Sequence, residues 1–196
     1  TGKIGGALAF DGTNDYVDLG EPASLKLQTF TVSAWFKRTG PGSTVSTGAG
    51  GISAEPLVTK GYGVGDGSTQ DINYFLGIQT SGMTLGADFE DMDSGANHPA
   101  VGTSPISNDV WHHASVTYDG TNWALYLDGN LENNSVVGKD PRYDSIMDNA
   151  IGAALNASGT PTGYFKGLID DVRIYGTGLS ASEVSALAAG GGAGAP

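Results

Sequence analysis

Side chains that could bind a cation concentrate between positions 88 and 98. They are Asp88, Glu90, Asp91, Asp93, Asn97 and His98. Calcium takes about 6 to 8 oxygen ligands, chiefly carboxylates, amides and carbonyls, so this segment could hold the ion with Asn97 and His98 folded over it. The alternative is a solvated acidic loop, because charged side chains are mostly exposed. The segment predicts a cation site and leaves that alternative open.

A second pair of carboxylates, Asp170 and Asp171, lies in the strand-like segment Gly167–Tyr175. Side chains alternate along a strand, which places Asp170 on the same face as Val172 and Ile174. An unpaired charge in such an apolar row would be very costly. Either a bound cation or a set of hydrogen bonds must therefore compensate Asp170.

Several kinds of chemistry lack support in the sequence. There is no cysteine, so neither a disulfide nor a thiolate site is available. His112 and His113 are neighbours on a predicted strand and point to opposite faces, so they cannot chelate one metal together. The sequence contains no Gly-x-Ser-x-Gly elbow, phosphate-binding loop or His-Glu-x-x-His pair. Nucleophilic-serine, nucleotide and zinc-hydrolase chemistry are therefore not indicated.

Short strands and tight turns must position these side chains. The 32 glycines, together with abundant Thr, Ser, Asn and Asp, predict an all-β protein. Residues 29–39 alternate between apolar and other side chains, which is typical of a half-buried strand. The sequence Asp-Gly-Thr-Asn occurs at 11–14 and again at 119–122, where it predicts hairpin turns. Residues 110–137 are predicted to form a three-stranded meander.

The chain is predicted to form one domain over residues 1–189, followed by a Gly-rich linker over residues 190–196. Candidate strands recur about every ten residues, which is typical of a sandwich or jelly roll. A short C-terminal helix is predicted because Ser180 and Glu183 fit a capping box. The linker composition indicates continuation into a neighbouring domain of a larger protein.

Charge and aromatic content narrow the choice of ligand. The formal net charge of -12 disfavours nucleic acids and anionic membranes, and no apolar run approaches the ~20 residues of a membrane span. Cations and neutral ligands remain. Tyr62 and Tyr143 lie in loops where their rings could pack on apolar sugar faces. With Asn97 and His98, they are the predicted ligand-binding residues.

Six segments carry patterns that occur together in one known family. In chain order they are Ala7–Val17, Phe30–Phe36, Trp111–His113, Tyr118–Gly120, Tyr126–Gly129 and Ile169–Tyr175. They resemble the laminin-G-like domains of the concanavalin A-like lectin/glucanase superfamily over nearly the whole chain. The resemblance implies a two-sheet antiparallel jelly roll of secreted or surface proteins, commonly with a structural calcium and often binding glycans or proteins. Function does not follow from this fold alone.

The resemblance also implies that the first and last strands run close together. Asp11 and Asp170, with Asp171 as a further candidate, could then converge on one calcium ion. Turn carbonyls near Gly12 and Asn14 could complete its ligand shell. The alternative is that Asp11 makes an Asx turn while Asp170 accepts backbone N–H bonds.

The expected function is a non-catalytic, calcium-binding recognition module of a larger extracellular protein, which binds a glycan or a surface protein. One alternative is a glycan hydrolase using Asp88 and Glu90, since the resemblance includes enzymes with alternating acids on one strand. The run Asp88-x-Glu90-Asp91-x-Asp93 inverts the acid types of their Glu-x-Asp-x-x-Glu motif. The other alternative is a purely structural spacer.

Overall fold

The computed structural model describes residues 1–190, whose regular secondary structure consists almost entirely of short strands. The strands are β1 Leu8–Asp11, β2 Val17–Gly20, β3 Phe30–Arg38, β4 Val45–Ser46, β5 Ser53–Lys60, β6 Tyr74–Gln79, β7 Thr84–Asp88, β8 Ala100–Val101, β9 His112–Tyr118, β10 Asn122–Leu127, β11 Asn130–Val136, β12 Asn149–Ile151, β13 Ala153–Leu155, β14 Pro161–Tyr164 and β15 Lys166–Tyr175. The helix α1 covers Ala181–Ala188, and a 3₁₀ turn covers Ala23–Leu25.

Two large antiparallel sheets form the sandwich. The first sheet has the strand order β1-β15-β3-β9-β10-β11, and the second has the order β2-β12-β5-β6-β7-β8 with β4 beside β5. β13 and β14 form a separate pair. The predicted all-β, two-sheet antiparallel jelly roll with a short C-terminal helix is confirmed. The strands β1 and β15 are direct neighbours, as the resemblance implied.

Alternating side chains of the first sheet fill the core between the sheets. Phe30, Val32 and Phe36 of β3 point inward and are at most 1% exposed. Strands β9, β10 and β11 form the predicted meander, and Trp123 and Leu125 of β10 face the same core. Burying large side chains of this kind contributes about 1.5–3 kcal/mol each.

The opposite face of β3 is buried as well. Thr31, Ser33 and Trp35 point away from the core, yet each is at most 5% exposed. Lys3 Nζ lies 4.2 Å from the Trp35 ring centre, and the Leu179 N–H donates to the Thr31 hydroxyl. The prediction of a half-buried strand is wrong here, because the alternation of β3 carries no information about distant segments that cover its outer face.

His113 on this covered face makes stability depend on pH. Its side chain is 1% exposed, and its ring centre lies 5.2 Å from that of Trp35. Burial lowers the pKa of His113 to about 4, although Asp128 and Asp171 oppose the shift. The same group titrates near 6.5 in an unfolded chain. The unfolded state therefore takes up the proton first, and stability falls as the pH drops from about 6.5 to about 4.

The expected contribution of His113 is a loss of about 3 kcal/mol between pH 7 and pH 4, since one pKa unit corresponds to about 1.4 kcal/mol. Urea unfolding of the wild-type protein and of the His113→Gln variant at both pH values measures it. Carboxylates also titrate over this range in both proteins, so the difference between the two proteins is the relevant quantity. An equal loss in both proteins would contradict the assignment.

Helix α1 packs on the outer face of β10. The Ser180 hydroxyl accepts the Glu183 N–H, and the Glu183 carboxylate accepts the Ser180 N–H, so the predicted capping box is confirmed. Val184 packs against Ala124 and Tyr126. Among residues 1–190, no helix has the length and apolar character needed to cross a membrane. Residues 191–196 of the predicted linker lie outside the described part of the chain.

Side chains join the edge strands β11 and β8 along one side of the sandwich. The Glu132 carboxylate accepts the N–H groups of Thr103 and Ser104 at 2.7 and 2.8 Å. Asn133 Nδ2 donates to the Val101 carbonyl at 2.9 Å. These bonds connect the two sheets at β8 and β11, the edge strands of the sheets within residues 1–190.

Candidate functional site

Four loops meet at one end of the sandwich, which we call the loop end. They cover residues 47–52, 61–73, 89–99 and 137–147. The Met92 N–H donates to the Asp140 carbonyl at 2.9 Å, and the Ile146 N–H donates to the Thr69 carbonyl at 2.9 Å. Backbone hydrogen bonds thus hold segments that are distant in sequence against one another.

Three carboxylates converge within the loop end and form what we call the acid cluster. One oxygen from each of Asp66, Asp71 and Glu90 lies within 4.8 Å of the others. Glu90 is fully buried and accepts bonds from Arg142 Nε at 2.5 Å and from the Gly67 N–H at 2.9 Å. The cluster therefore combines two buried carboxylates with the surface carboxylate of Asp66.

Asp71 is the least satisfied member of the acid cluster. Its side chain is 0% exposed, and Oδ1 accepts the Ile72 N–H at 2.7 Å. Oδ2 has no hydrogen-bond partner among the described residues. Burial, followed by the Glu90 carboxylate, raises the pKa of Asp71 to about 8. The surrounding protein therefore compensates a negative charge on Asp71 poorly.

Asp88 lies at the end of β7, beneath the 47–52 loop. It is 0% exposed, and its Oδ2 accepts the Thr47 hydroxyl at 2.6 Å. A Cβ added to Gly51 would lie 2.5 Å from this oxygen, so the loop backbone passes directly over the carboxylate. Burial raises the pKa of Asp88 to about 7. Asp88 and the equally buried Glu90 are both out of a substrate's reach in this structure.

The other predicted acids of this segment have local partners. Asp91 accepts the Ser94 N–H at 2.6 Å and lies 2.9 Å from His98 Nε2. Burial opposes ionisation, but these bonds outweigh it and lower the pKa of Asp91 to about 2. Asp93 forms an exposed ion pair with Lys139 at 3.0 Å. Of the acids predicted between positions 88 and 93, Glu90 alone belongs to the acid cluster found among the described residues.

A groove of about 370 Å³ lies between the 97–99 segment and the end of β11. Its lining includes Asn97, His98, Pro99, Ser135, Val136 and Lys139. Asn97 Nδ2 donates to the Ala49 carbonyl at 3.1 Å, whereas Asn97 Oδ1 has no partner within residues 1–190. Val136 is 78% exposed. The groove therefore combines open apolar surface with hydrogen-bonding groups.

Gly48 brings the groove and the acid cluster together. A Cβ at this position would lie 2.5 Å from Asp66 Oδ1 and 3.0 Å from Asn97 Nδ2. Its φ of 113° also lies in the region that glycine adopts without strain. A glycine is therefore required for the 47–52 loop to pass between the two side chains.

Tyr62 and Tyr143, the other predicted ligand residues, lie outside the lining of this groove. Tyr62 is partly buried against an apolar cluster that contains Val45 and Phe75. Tyr143 is half-buried, and its N–H bonds to the Pro141 carbonyl. Of the predicted ligand residues, Asn97 and His98 line the groove.

The pairing of β1 with β15 does not bring Asp11 and Asp170 together. Asp11 lies opposite Lys166, and Leu8 lies opposite Ile169, so the two carboxylates are about four strand positions, or ~13 Å, apart. Asp11 Oδ1 accepts the Thr13 N–H and the Asn14 N–H in an Asx turn with Gly12 at φ 82°. The predicted convergence around one ion is thus corrected by the strand register.

Asp170 is compensated by backbone hydrogen bonds, the alternative that the sequence left open. Its Oδ2 accepts the Ile4 N–H at 2.7 Å, and its Oδ1 accepts the Asp171 N–H at 2.8 Å. The β15–β3 register shifts just after Asp170, where Asp171 has a φ of 46° and pairs with Arg173. The shift reverses the alternation, so Val172 does not share the face of Asp170 as predicted; it packs against the main core.

Sequence reasoning missed Asp66, Asp71, Arg142 and Lys139 as site residues. Asp66 lies in a Gly-rich loop, where an acid is ordinary turn composition. Asp71 lies three residues before the buried strand β6, and this position is the one feature of the sequence that could have indicated its burial. The pairing of β6 with β7 brings Asp71 and Glu90 together, and no local periodicity predicts that contact.

The fold and the loop end define a lectin-like β-sandwich domain. The chain belongs to the laminin-G-like family described as the concanavalin A-like lectin/glucanases superfamily, whose family model matches residues 11–185. The resemblance predicted from the sequence is therefore confirmed. A comparison with proteins of curated function finds no significant match.

Several solved structures share the fold. The carbohydrate-binding module CBM40 of the Ruminococcus gnavus IT-sialidase, bound to α2,3-sialyllactose, has a TM-score of 0.72 at 17% identity, covering 93% of this chain and 96% of that chain. Domain 4 of AbnA, a GH43 extracellular arabinanase from Geobacillus stearothermophilus in complex with arabinotriose, has a TM-score of 0.65 at 22% identity, covering 95% and 78%. A heptameric SAP-like pentraxin from Limulus polyphemus has a TM-score of 0.63 at 16% identity, covering 94% and 82%.

Proposed function

We propose that this domain is a non-catalytic glycan-recognition module of a larger extracellular protein and that it binds sugar in the groove beside the loop end. The observation that carries the proposal is the lining of the groove. Exposed apolar surface at Val136 and Pro99 adjoins the Asn97 amide, the Ser135 hydroxyl and the Lys139 amine. Sugars present the same combination of C–H faces and hydroxyls, and binding sites commonly join apolar walls to a few placed polar groups.

The glycan is a neutral one. Each of the three arginines is already paired with a carboxylate: Arg38 with Glu55, Arg142 with Glu90 and Arg173 with Asp171. An acidic sugar would find no unpaired guanidinium among these pairs, and the net charge of -12 would repel it. Neutral hydroxyls can instead accept from the Lys139 amine, whose charge is already paired with Asp93, and bond to the exposed Ser135 hydroxyl.

The burial of Asp88 and Glu90 supports a binding role over hydrolysis. A glycosidase acid must touch the scissile oxygen, and its partner carboxylate must reach the anomeric carbon or a water beside it. Asp88 lies under Thr47 and Gly51, and Glu90 is paired with Arg142. Two relatives of similar fold are named as parts of larger enzymes, a sialidase and an extracellular arabinanase. These names support an extracellular module attached to neighbouring domains.

Replacing Lys139 with alanine should weaken glycan binding about tenfold or more, because a hydrogen bond to a charged donor contributes about 1.5–3 kcal/mol. An array of neutral and sialylated glycans identifies a ligand, and calorimetry then gives the dissociation constants. Lys166→Ala is the matched control, since Lys166 is an exposed lysine on β15, remote from the groove lining. It should bind as the wild-type protein does.

Three results would contradict the proposal. They are an array without any neutral ligand, a preference for sialylated over neutral glycans, and equal affinities for the Lys139→Ala and wild-type proteins. Turnover of a bound glycan would favour the hydrolase instead. A blank array would favour a surface-protein partner or a structural spacer.

A further inference from the structure

When Asp66, Asp71 and Glu90 are all ionised, the acid cluster carries more negative charge than its protein partners compensate. Ionised Asp66, Asp71 and Glu90 contribute three negative charges within 4.8 Å of one another, and Arg142 contributes one positive charge at Glu90. Like charges at this distance repel strongly where water is excluded. The remaining charge of -2, which is -3 plus 1, equals that neutralised by one divalent cation.

The orphaned oxygen of Asp71 is independent evidence for a missing ligand. Oδ2 is buried, has no hydrogen-bond partner among residues 1–190, and belongs to the carboxylate that faces Asp66 and Glu90. Buried polar atoms are nearly always satisfied, so this oxygen calls either for a proton shared with Glu90 or for a partner outside the described residues, and calcium titration distinguishes the two. A positively charged partner would satisfy this oxygen and would also reduce the repulsion between the Asp71 and Glu90 carboxylates.

We propose that Asp66, Asp71 and Glu90 bind one calcium ion at the loop end. The donors are all carboxylate oxygens, which suit a hard divalent cation, and the cluster supplies no nitrogen or sulfur donor for zinc. Asp66 is exposed and gives the ion a path from solvent, while waters can complete the shell. Calcium is favoured over magnesium, because magnesium demands near-ideal octahedral geometry and is rarely held by protein groups alone.

A bound ion would connect the loops around the groove. The Gly67 N–H donates to Glu90 Oε2, and the Ala49 N–H lies 3.3 Å from both carboxylate oxygens of Asp66. The Ala49 carbonyl in turn accepts from Asn97, which lines the groove. Any effect of calcium on glycan affinity depends on the proposed glycan-binding function. The calcium site itself does not depend on that function.

Calcium titration of metal-stripped protein without glycan tests the site. Calorimetry should show one site, and calcium at 100 times its dissociation constant should raise the melting temperature by about 5–10 °C. Asp66→Asn, at an exposed position, should weaken calcium binding at least about tenfold, and Asp71→Asn should do the same. Asp11→Asn is the matched control: it changes an acid outside the cluster, in the Asx turn, and should leave binding unchanged.

Absence of calcium binding, tighter binding of magnesium, or wild-type affinity in folded Asp66→Asn protein would overturn the inference. Loss of binding in Asp11→Asn alone would move the site to the first hairpin and overturn it as well. Glycan binding in EDTA with no calcium binding would refute the ion site while leaving the proposed function intact. Calcium binding without any glycan ligand would retain the ion site and refute the proposed function.

Discussion

Replacing Arg142 with methionine should lower the free energy of unfolding by about 3–5 kcal/mol, the cost of leaving a buried charge without its partner. Glu90 is fully buried, and Arg142 Nε donates to it at 2.5 Å. Arg142 also donates to the Asp91 carbonyl at 3.1 Å, so the variant loses a second bond. The unpaired Glu90 would then face Asp71 with no cationic side chain against it.

Urea unfolding at pH 7 measures this loss. The matched control is Arg173→Met, which also removes an arginine paired with a carboxylate, that of Asp171. The side chains of Arg173 and Asp171 are 26% and 19% exposed, so water screens the charges and the expected cost is about 0–1 kcal/mol. Similar losses in the two variants would show that the burial of Glu90 is not the source of the effect.

Replacing Phe30 with alanine should cost about 3–5 kcal/mol, because a buried phenylalanine leaves a cavity that its neighbours refill only in part. Phe30 is 0% exposed, and its ring centre lies 5.4–6.4 Å from those of Tyr74, Phe89, Tyr118 and Trp123. These rings come from both sheets. The substitution therefore removes contacts that hold the two layers together.

Thermal and urea unfolding of Phe30→Ala provide the measurement, with Leu131→Ala as the control. Leu131 is an apolar residue of the edge strand β11 that is 54% exposed, so its truncation should change stability by less than about 0.5 kcal/mol. A loss below about 1 kcal/mol in Phe30→Ala would contradict the role of this aromatic cluster.

Local patterns in the sequence predicted much of the fold correctly. The inward face of β3, the meander of β9 to β11 and the capping box of Ser180 and Glu183 each depend on residues close together in the chain. The covering of the outer face by Lys3 and Leu179 depends on contacts across more than 30 residues. Periodicity along one strand cannot reveal such contacts.

The sequence predicted which residue types form the candidate site, but it did not predict which residues meet there. Glu90 and Asn97 were predicted as site residues because carboxylate and amide side chains concentrate between positions 88 and 98. The partners of Glu90 come from positions 66, 71 and 142, which only the folded chain brings together. The register of β1 and β15 likewise separates Asp11 from Asp170, although both strands were predicted to be neighbours.

The hydrogen bonds from β11 side chains to the β8 edge affect how readily the domain could polymerise. Unpaired strand edges can template the addition of strands from other molecules, which is how cross-β fibrils grow. Here Asn133 occupies the carbonyl of Val101, and Glu132 occupies the amides of Thr103 and Ser104. An incoming strand finds these backbone groups already engaged, so the β8 edge is a poor seed for fibril growth.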